Sequence, residues 1–363
     1  MPPGQAVNRQ GTANQAGPAR AGALAATTAN RRANEKPAAT WSTDRSPEWH
    51  QAVANRHEYW NRWTKDNQAR VQRFQAARDP QWRQIASWRQ SNDPARAFNS
   101  NSWRAYRDNV IDFRNERRGE IWNEVQYYHD GVFDNRWWAG CGWYPAVAIG
   151  FWDPWWWWTP CDWGSFCGFL GWGAPVPVNF DYGVNVFDDG QFVYYDGAPI
   201  GSTVDYADQA VSLAYPKDTP PAPTPPGESQ TEDWKPLGVW ALTQEEKGDA
   251  FMFLQLSTNK AGLISGAYVN VLSGEKEPVA GQIDKTTQRA AFHIGNAQGA
   301  ENALQRTVIE TGAYNLTQDV ASCFVRFGTG QPQTWLMVRL PAPTMPNAPT
   351  QLGEQSSGSG NHS

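Results

Sequence analysis

The sequence predicts an α+β protein of several modules. Its N-terminal part is expected to form a helical hairpin or bundle and its middle a small β-hairpin-helix unit. The C-terminal part is expected to be an antiparallel β-meander or barrel of about eight strands. Three observations carry that expectation. Apolar residues recur at helical spacing between residues 41 and 135. Short β-branched and aromatic runs, separated by turn residues, fill 233–341. Between them the composition shifts sharply, since 18 of the 21 tryptophans lie from Trp41 to Trp172. A chain of 363 residues has room for about two domains with linkers.

Residues 1–40 are rich in Ala, Gly, Asn, Arg and Pro and are expected to be disordered, because they hold too few apolar side chains to offset the entropy of ordering. Ala23-Leu24-Ala25-Ala26 is too short for the apolar centre of a secretory signal, so the N-terminus reads as lacking one. In the segment 41–135, Ser46-Pro47-Glu48 supplies a helix cap, a first-turn proline and an early acid. Trp49, Val53, Trp60, Trp63 and Phe74 follow at coiled-coil-like spacing, interrupted by Arg56, Asn67 and Arg70. Asp79-Pro80 is expected to end that helix. A shorter helix follows with Trp82, Ile85 and Trp88 on one face, ending near Asn92-Asp93-Pro94. A third is expected after Ser102, with Trp103, Tyr106, Val110, Phe113, Ile121, Val125 and Tyr128 in period. Aromatic residues at this spacing are read first as the seam between helices, ahead of ligand contacts, and such helices also offer a route to oligomerisation.

From 136 to 177 the period vanishes into a Trp/Gly/Pro/Cys-rich irregular segment. Trp155, Trp156, Trp157 and Trp158 stand in a row, with Trp152, Trp163 and Trp172 close by. An indole joins an apolar body to one N–H donor, so it favours boundaries that are apolar on one side and wet on the other. These seven are the candidate surface or ligand contacts. A single membrane span is not expected, since it needs about 20 fairly continuous apolar residues and Asp153-Pro154 interrupts this stretch. Asp153 and Asp162 among the indoles have the makings of a sugar cleft, although turn punctuation is the plainer reading. Cys161 and Cys167 are candidates for a disulfide if the protein is exported. Their spacing does not suit zinc, and the nearest histidine is His129.

In 178–215, residues 179–187 read as a strand, Asp188-Asp189-Gly190 as a turn and 191–195 as the returning strand. Asp196-Gly197 turns again, and Ser202 with Asp205 forms a capping box for a short helix through Ala214. A Pro-rich linker occupies 216–232. In 233–341 the candidate strands are 238–243, 250–257, 263–271, 279–284, 289–294, 307–311, 322–327 and 334–340. Strands this short and consecutive favour an up-and-down barrel, because closure removes exposed edges. Tyr268 and Trp335 are candidates for the barrel mouth, and both are equally readable as core. The tail, 342–363, is expected to be disordered.

The charge is asymmetric. Residues 1–136 hold 21 Lys+Arg against 14 Asp+Glu, and the remainder 10 against 22. Within 41–136 the balance is 16 against 13, too even for nucleic-acid binding, so none is expected. His50 and His57 lie seven apart, which is not a zinc-protease spacing, and Ser165 has no glycine two residues before it, as a nucleophile elbow requires. No catalytic, cofactor-binding or metal residue is expected, and no cofactor. Asn315-Leu316-Thr317 matches a glycosylation sequon.

The order of parts resembles a family of Trp-rich planctomycete cell-surface proteins labelled mu-protocadherin-like. The likeness lies in the Trp/Arg helical region leading into Trp137-Trp138, in 180–186 with 193–197 and 206–210, and in 234–240, 284–290, 310–312, 315–318 and 335–340. It implies an envelope location and no catalytic role. Members are expected to carry an export signal, and here this sequence departs from the pattern. The C-terminal part is also similar to avidin-type barrels, in 259–268 and in Thr334-Trp335-Leu336-Met337. Their Trp-bearing middle strand has no counterpart in 290–294, so the likeness concerns fold and not biotin. Taken together, the expectation is a non-enzymatic bacterial envelope or cell-surface protein, structural or interacting. Its aromatic segment would meet an envelope component, a glycan or a membrane interface. The other reading is a ligand-binding module for a glycan or small hydrophobe, in the barrel or the Trp-rich segment. A glycosidase would need two carboxylates about 5–10 Å apart across a cleft, which sequence does not display.

Overall fold

A computed structural model describes residues 68–93, 97–128, 157–159, 161–173, 175–216, 234–246, 250–271, 273, 275–295, 307–328 and 330–342. The helix start at Ser46, the first 40 residues, all of 136–156, the linker beyond Pro216 and the tail beyond Ala342 lie outside the described residues.

Among the described residues two helices come first, α1 (Gln68–Ser91) and α2 (Asn101–Tyr128). Asp79-Pro80 does not end α1. The helix runs through Pro80, although proline lacks an N–H and crowds the preceding turn. Packing on both sides outweighs that local cost: Trp82 meets Phe113 of α2 at 6.0 Å, and Arg78 is buried. Helix α2 starts one residue before Ser102, because the Ser100 hydroxyl accepts from the Trp103 N–H at 3.0 Å and so caps it. The seam is the predicted one. Trp88 stacks on Tyr106 at 4.2 Å and leans on Trp103, while Trp82 reaches Phe113, so the helices run antiparallel. Ile85 and Val110 fill the space between them.

A third helix, α3 (Trp163–Phe169), corrects the irregular reading of this segment. Asp162 caps it by accepting from the Ser165 N–H at 2.9 Å. Glycines at 164 and 168 dilute any helical pattern, so burial of Phe166 and Cys167 supplies what propensity does not.

A three-stranded sheet follows: β1 (Val186–Asp188), β2 (Phe192–Tyr195) and β3 (Ala198–Ser202). Only the end of the predicted strand 179–187 is a strand. The Asp181 carbonyl accepts from the N–H groups of Val184, Asn185 and Val186, a tight turn that overrides the alternating pattern. Asp196 and Gly197, both at positive φ (49° and 80°), make the two-residue hairpin turn between β2 and β3. Helix α4 (Thr203–Ala214) is capped by Ser202, whose hydroxyl accepts from the Asp205 N–H at 3.0 Å.

The C-terminal part is a closed, eight-stranded antiparallel barrel. Its strands are β4 (Trp234–Gln244), β5 (Met252–Asn259), β6 (Leu263–Asn270), β7 (Glu275–Ile283), β8 (Arg289–Ile294), β9 (Thr307–Gly312), β10 (Val320–Phe327) and β11 (Gln333–Arg339). Each pairs with the next, and β11 closes on β4 with Met337 opposite Leu242. Alternation sorts the side chains. Trp240, Leu242, Leu254, Ile264, Val279, Phe292, Ile309 and Met337 fill the inside. Outside, Val239, Phe253, Leu336 and Val338 lie under Ile121 and Trp122 of α2 and under Trp157. Ala291 and Val308 lie under Ala210 and Ala214 of α4, and Phe324 under Tyr182 and Tyr206.

Charge also locks the helices to the barrel. Glu245, just past β4, pairs with Arg89 of α1 at 2.9 Å and Arg114 of α2 at 2.8 Å, and Arg114 also bonds Asp181. Under α4, Arg289 pairs with Glu310 at 2.8 Å, and the guanidinium lies 3.6 Å from the Tyr206 ring centre. Among the described residues, no helix is long and apolar enough to cross a membrane.

Candidate functional site

The two ends of the barrel differ. At the end where β4 begins, α3 closes the interior. Phe166, Leu170 and Cys161 join the inner core, with Trp163, Phe169 and Trp172 packed against it. Lys285, in the β7–β8 turn, donates to the Leu170 carbonyl at 2.7 Å and to the Lys260 carbonyl at 3.2 Å, tying α3 to two turns of that rim. Lys235 adds a bond to the Ser165 hydroxyl at 2.7 Å.

At the opposite end the interior is not filled. A cavity of about 490 Å³ is lined by Leu242, Met252, Tyr268, Ile294, Ile309, Val325 and Trp335, with Tyr215, Phe327, Thr307, Gly295, Glu275 and Glu277 around them. Every barrel strand contributes to this wall. Trp335 is fixed by an indole N–H donated to Gln333 at 3.1 Å and meets Phe327 at 6.1 Å. Tyr215, carried by the end of α4, stacks on His293 at 4.1 Å, and the His293 ring is held by the Ala214 carbonyl at 2.5 Å. A helix outside the barrel thus fixes one residue of the cavity wall.

The polar groups cluster on β6 and β7. Register sets Tyr268 opposite Glu277, and Asn270 opposite Glu275. Because side chains alternate along a strand, Glu275 and Glu277 share the inward face with Val279 and Ile283, both in the inner core. Burial, with Glu275 beside it, raises the Glu277 carboxyl above its ordinary pKa. Burial likewise, with Glu275 adding to it, pushes the Tyr268 phenol up to about 12.

The predicted mouth residues Tyr268 and Trp335 therefore lie together in the cavity wall. The aromatic segment is placed differently. Trp152, Trp155 and Trp156 lie outside the described residues. Trp157 is 1% exposed, inserted between α2 and the outer barrel wall, and Trp158 is half-buried beside it. Trp163 and Trp172 meet edge to face at 5.5 Å on the α3 plug. The described indoles of this segment thus contact the chain's own barrel, and Trp157 is not available to an outside partner. Cys161 and Cys167 are buried free thiols, so the disulfide considered from sequence is not formed. Burial raises both, Cys161 to about 11. No group of three or more His, Cys, Asp or Glu that could hold a metal occurs among the described residues.

Sequence reading missed Glu275 and Glu277 because the predicted strand began at Val279. The signal was present as alternation: Glu275 and Glu277 are in phase with Val279 and Ile283, which extends the strand and points two charges inward. Comparison with protein-family models, curated proteins and solved structures finds no match.

Proposed function

We propose that this protein is a non-enzymatic binding protein whose barrel holds one compact, partly aromatic small molecule. The observation that supports this reading is the 490 Å³ cavity at one end of a barrel closed by α3 at the other. Ligand sites are typically concave, about 300–1,000 Å³, and mostly apolar with a few convergent polar groups. An eight-stranded barrel has an interior wide enough for one small ligand when side chains do not fill it. Both wall carboxylates stand on one strand, hence on one side of any occupant. Glycosidic chemistry needs carboxylates flanking the bond, so the arrangement favours binding over hydrolysis. The apolar interior is the reverse of transmembrane barrels, whose lumen is polar. An envelope location, drawn from the resemblance to planctomycete cell-surface proteins, belongs to the same proposal and is checked by cell fractionation.

The test is titration with N-phenyl-1-naphthylamine, a neutral apolar dye that brightens on leaving water. The expected outcome is saturable enhancement with about one site per chain and micromolar affinity. Ile294→Trp, placing an indole in the cavity, should remove the enhancement while the circular dichroism spectrum is retained. A wild-type protein that gives no saturable signal would overturn the proposal.

A further inference from the structure

We propose that the barrel cavity selects organic cations, its ligand carrying a protonated amine or similar group on an apolar, partly aromatic body. This rests on reading the cavity as a ligand site and adds a charge to that ligand.

The strand β7 carries the argument. Inward positions of a barrel wall are ordinarily apolar, and five of the seven innermost lining residues here follow that rule without a polar atom: Leu242, Met252, Ile294, Ile309 and Val325. Glu275 and Glu277 break it on two successive inward positions. A departure from local pattern without a compensating partner marks functional positions more often than structural ones. Such compensation exists elsewhere in this molecule. The buried carboxylates of Glu245 and Glu310, on the outer side of the barrel, are each met by arginine. Glu277 is not: among the described residues, only burial and the second carboxylate act on it, both against its charged form. Among the described residues, no Lys, Arg or His lines the cavity.

Glu275 is exposed at the rim and Glu277 is half-buried below it; a cation entering beside them relieves the desolvation of Glu277 and the repulsion between the two. An anion would meet a third like charge. A metal ion is a poor occupant, because two carboxylates fall short of the ligand sets that hold one, and no larger donor group occurs among the described residues. Trp335, Tyr268, Tyr215 and Phe327 supply ring faces and edges that suit both an aromatic body and a cationic head.

The experiment compares three probes of nearly equal size: 1-naphthylmethylamine, 1-naphthalenemethanol and 1-naphthylacetate. Each displaces N-phenyl-1-naphthylamine from the full chain at pH 7. The amine should bind about tenfold or more tighter than the alcohol, with the acetate weakest. In the Glu275→Gln, Glu277→Gln double variant the amine should fall to the affinity of the alcohol, and the alcohol should be unchanged. Should that variant fail to fold, the amine-to-alcohol ratio in the wild type and in Glu277→Gln alone decides. Equal binding of amine and alcohol by the wild type, or a preference that survives both substitutions, overturns the inference and leaves the cavity reading standing. If neither the dye nor any probe binds, both fall.

Discussion

Gly238 sits at a β-bulge in β4 with φ of +106°, a conformation that L side chains rarely adopt. The space a side chain would take there is held by the Arg339 guanidinium. That group donates to the carbonyls of Leu237 and Leu316 at 2.6 Å each and to Gln318 at 3.2 Å, and it lies 4.2 Å from the Trp240 ring centre. Gly238→Ala therefore strains the backbone and displaces a half-buried cation from its acceptors, at a cost of about 3 kcal/mol. A urea midpoint lowered at constant slope is the expected reading, and an unchanged midpoint would contradict it. Nothing in the sequence marked this position. Gly238 looked like the start of a strand, and the group packed into its bulge, Arg339, lies about a hundred residues on. Trp335 and Tyr268 were legible because aromatic residues on predicted strands near a barrel rim have few places to go. Trp157 was not, since four identical neighbours give no hint which one is buried.

At the level of elements, turn and cap chemistry was the most readable part. The Ser202 capping box and the Asp196-Gly197 turn occur where residue patterns put them, and all eight barrel strands occur in the predicted order, with β4 and β7 starting earlier than predicted. Elements held by tertiary contact were less readable. Helix α1 persists through Pro80 because of its seam with α2, and α3 exists because Phe166 and Leu170 plug the barrel. The joint between the helical hairpin and the barrel is electrostatic. Burial acts to raise the Glu245 pKa, but Arg89 and Arg114 overcome it and hold the carboxyl below its ordinary value of 4.5. A depressed folded-state pKa means that this contribution is complete above about pH 4.5 and is lost as pH falls through the folded value. Glu245→Gln leaves two buried guanidiniums undercompensated and should cost about 3 kcal/mol at pH 7. Below pH 4.5 the gap between wild type and variant should narrow, as read from urea midpoints across pH. A gap that does not change with pH would show that the carboxylate charge is not what joins the hairpin to β4.

At the largest scale, the described residues form a barrel closed at one end and open at the other. Helices α2 and α4 and Trp157 cover the outer wall, α3 closes one end, and the remaining interior space lies at the other. The aromatic richness that dominates the sequence is, where described, spent on building this barrel and its cover, and the cavity wall is a smaller set of residues drawn from every strand. The most direct test of that account uses the methionine methyl groups. Met252 lines the cavity, whereas Met337 lies in the inner core and not in the cavity wall. With methyl-13C-methionine protein, titration with 1-naphthylmethylamine should move the Met252 resonance progressively to saturation and leave Met337 close to its starting position. Equal movement of both, or of neither at saturating probe, would contradict a ligand cavity at this end of the barrel.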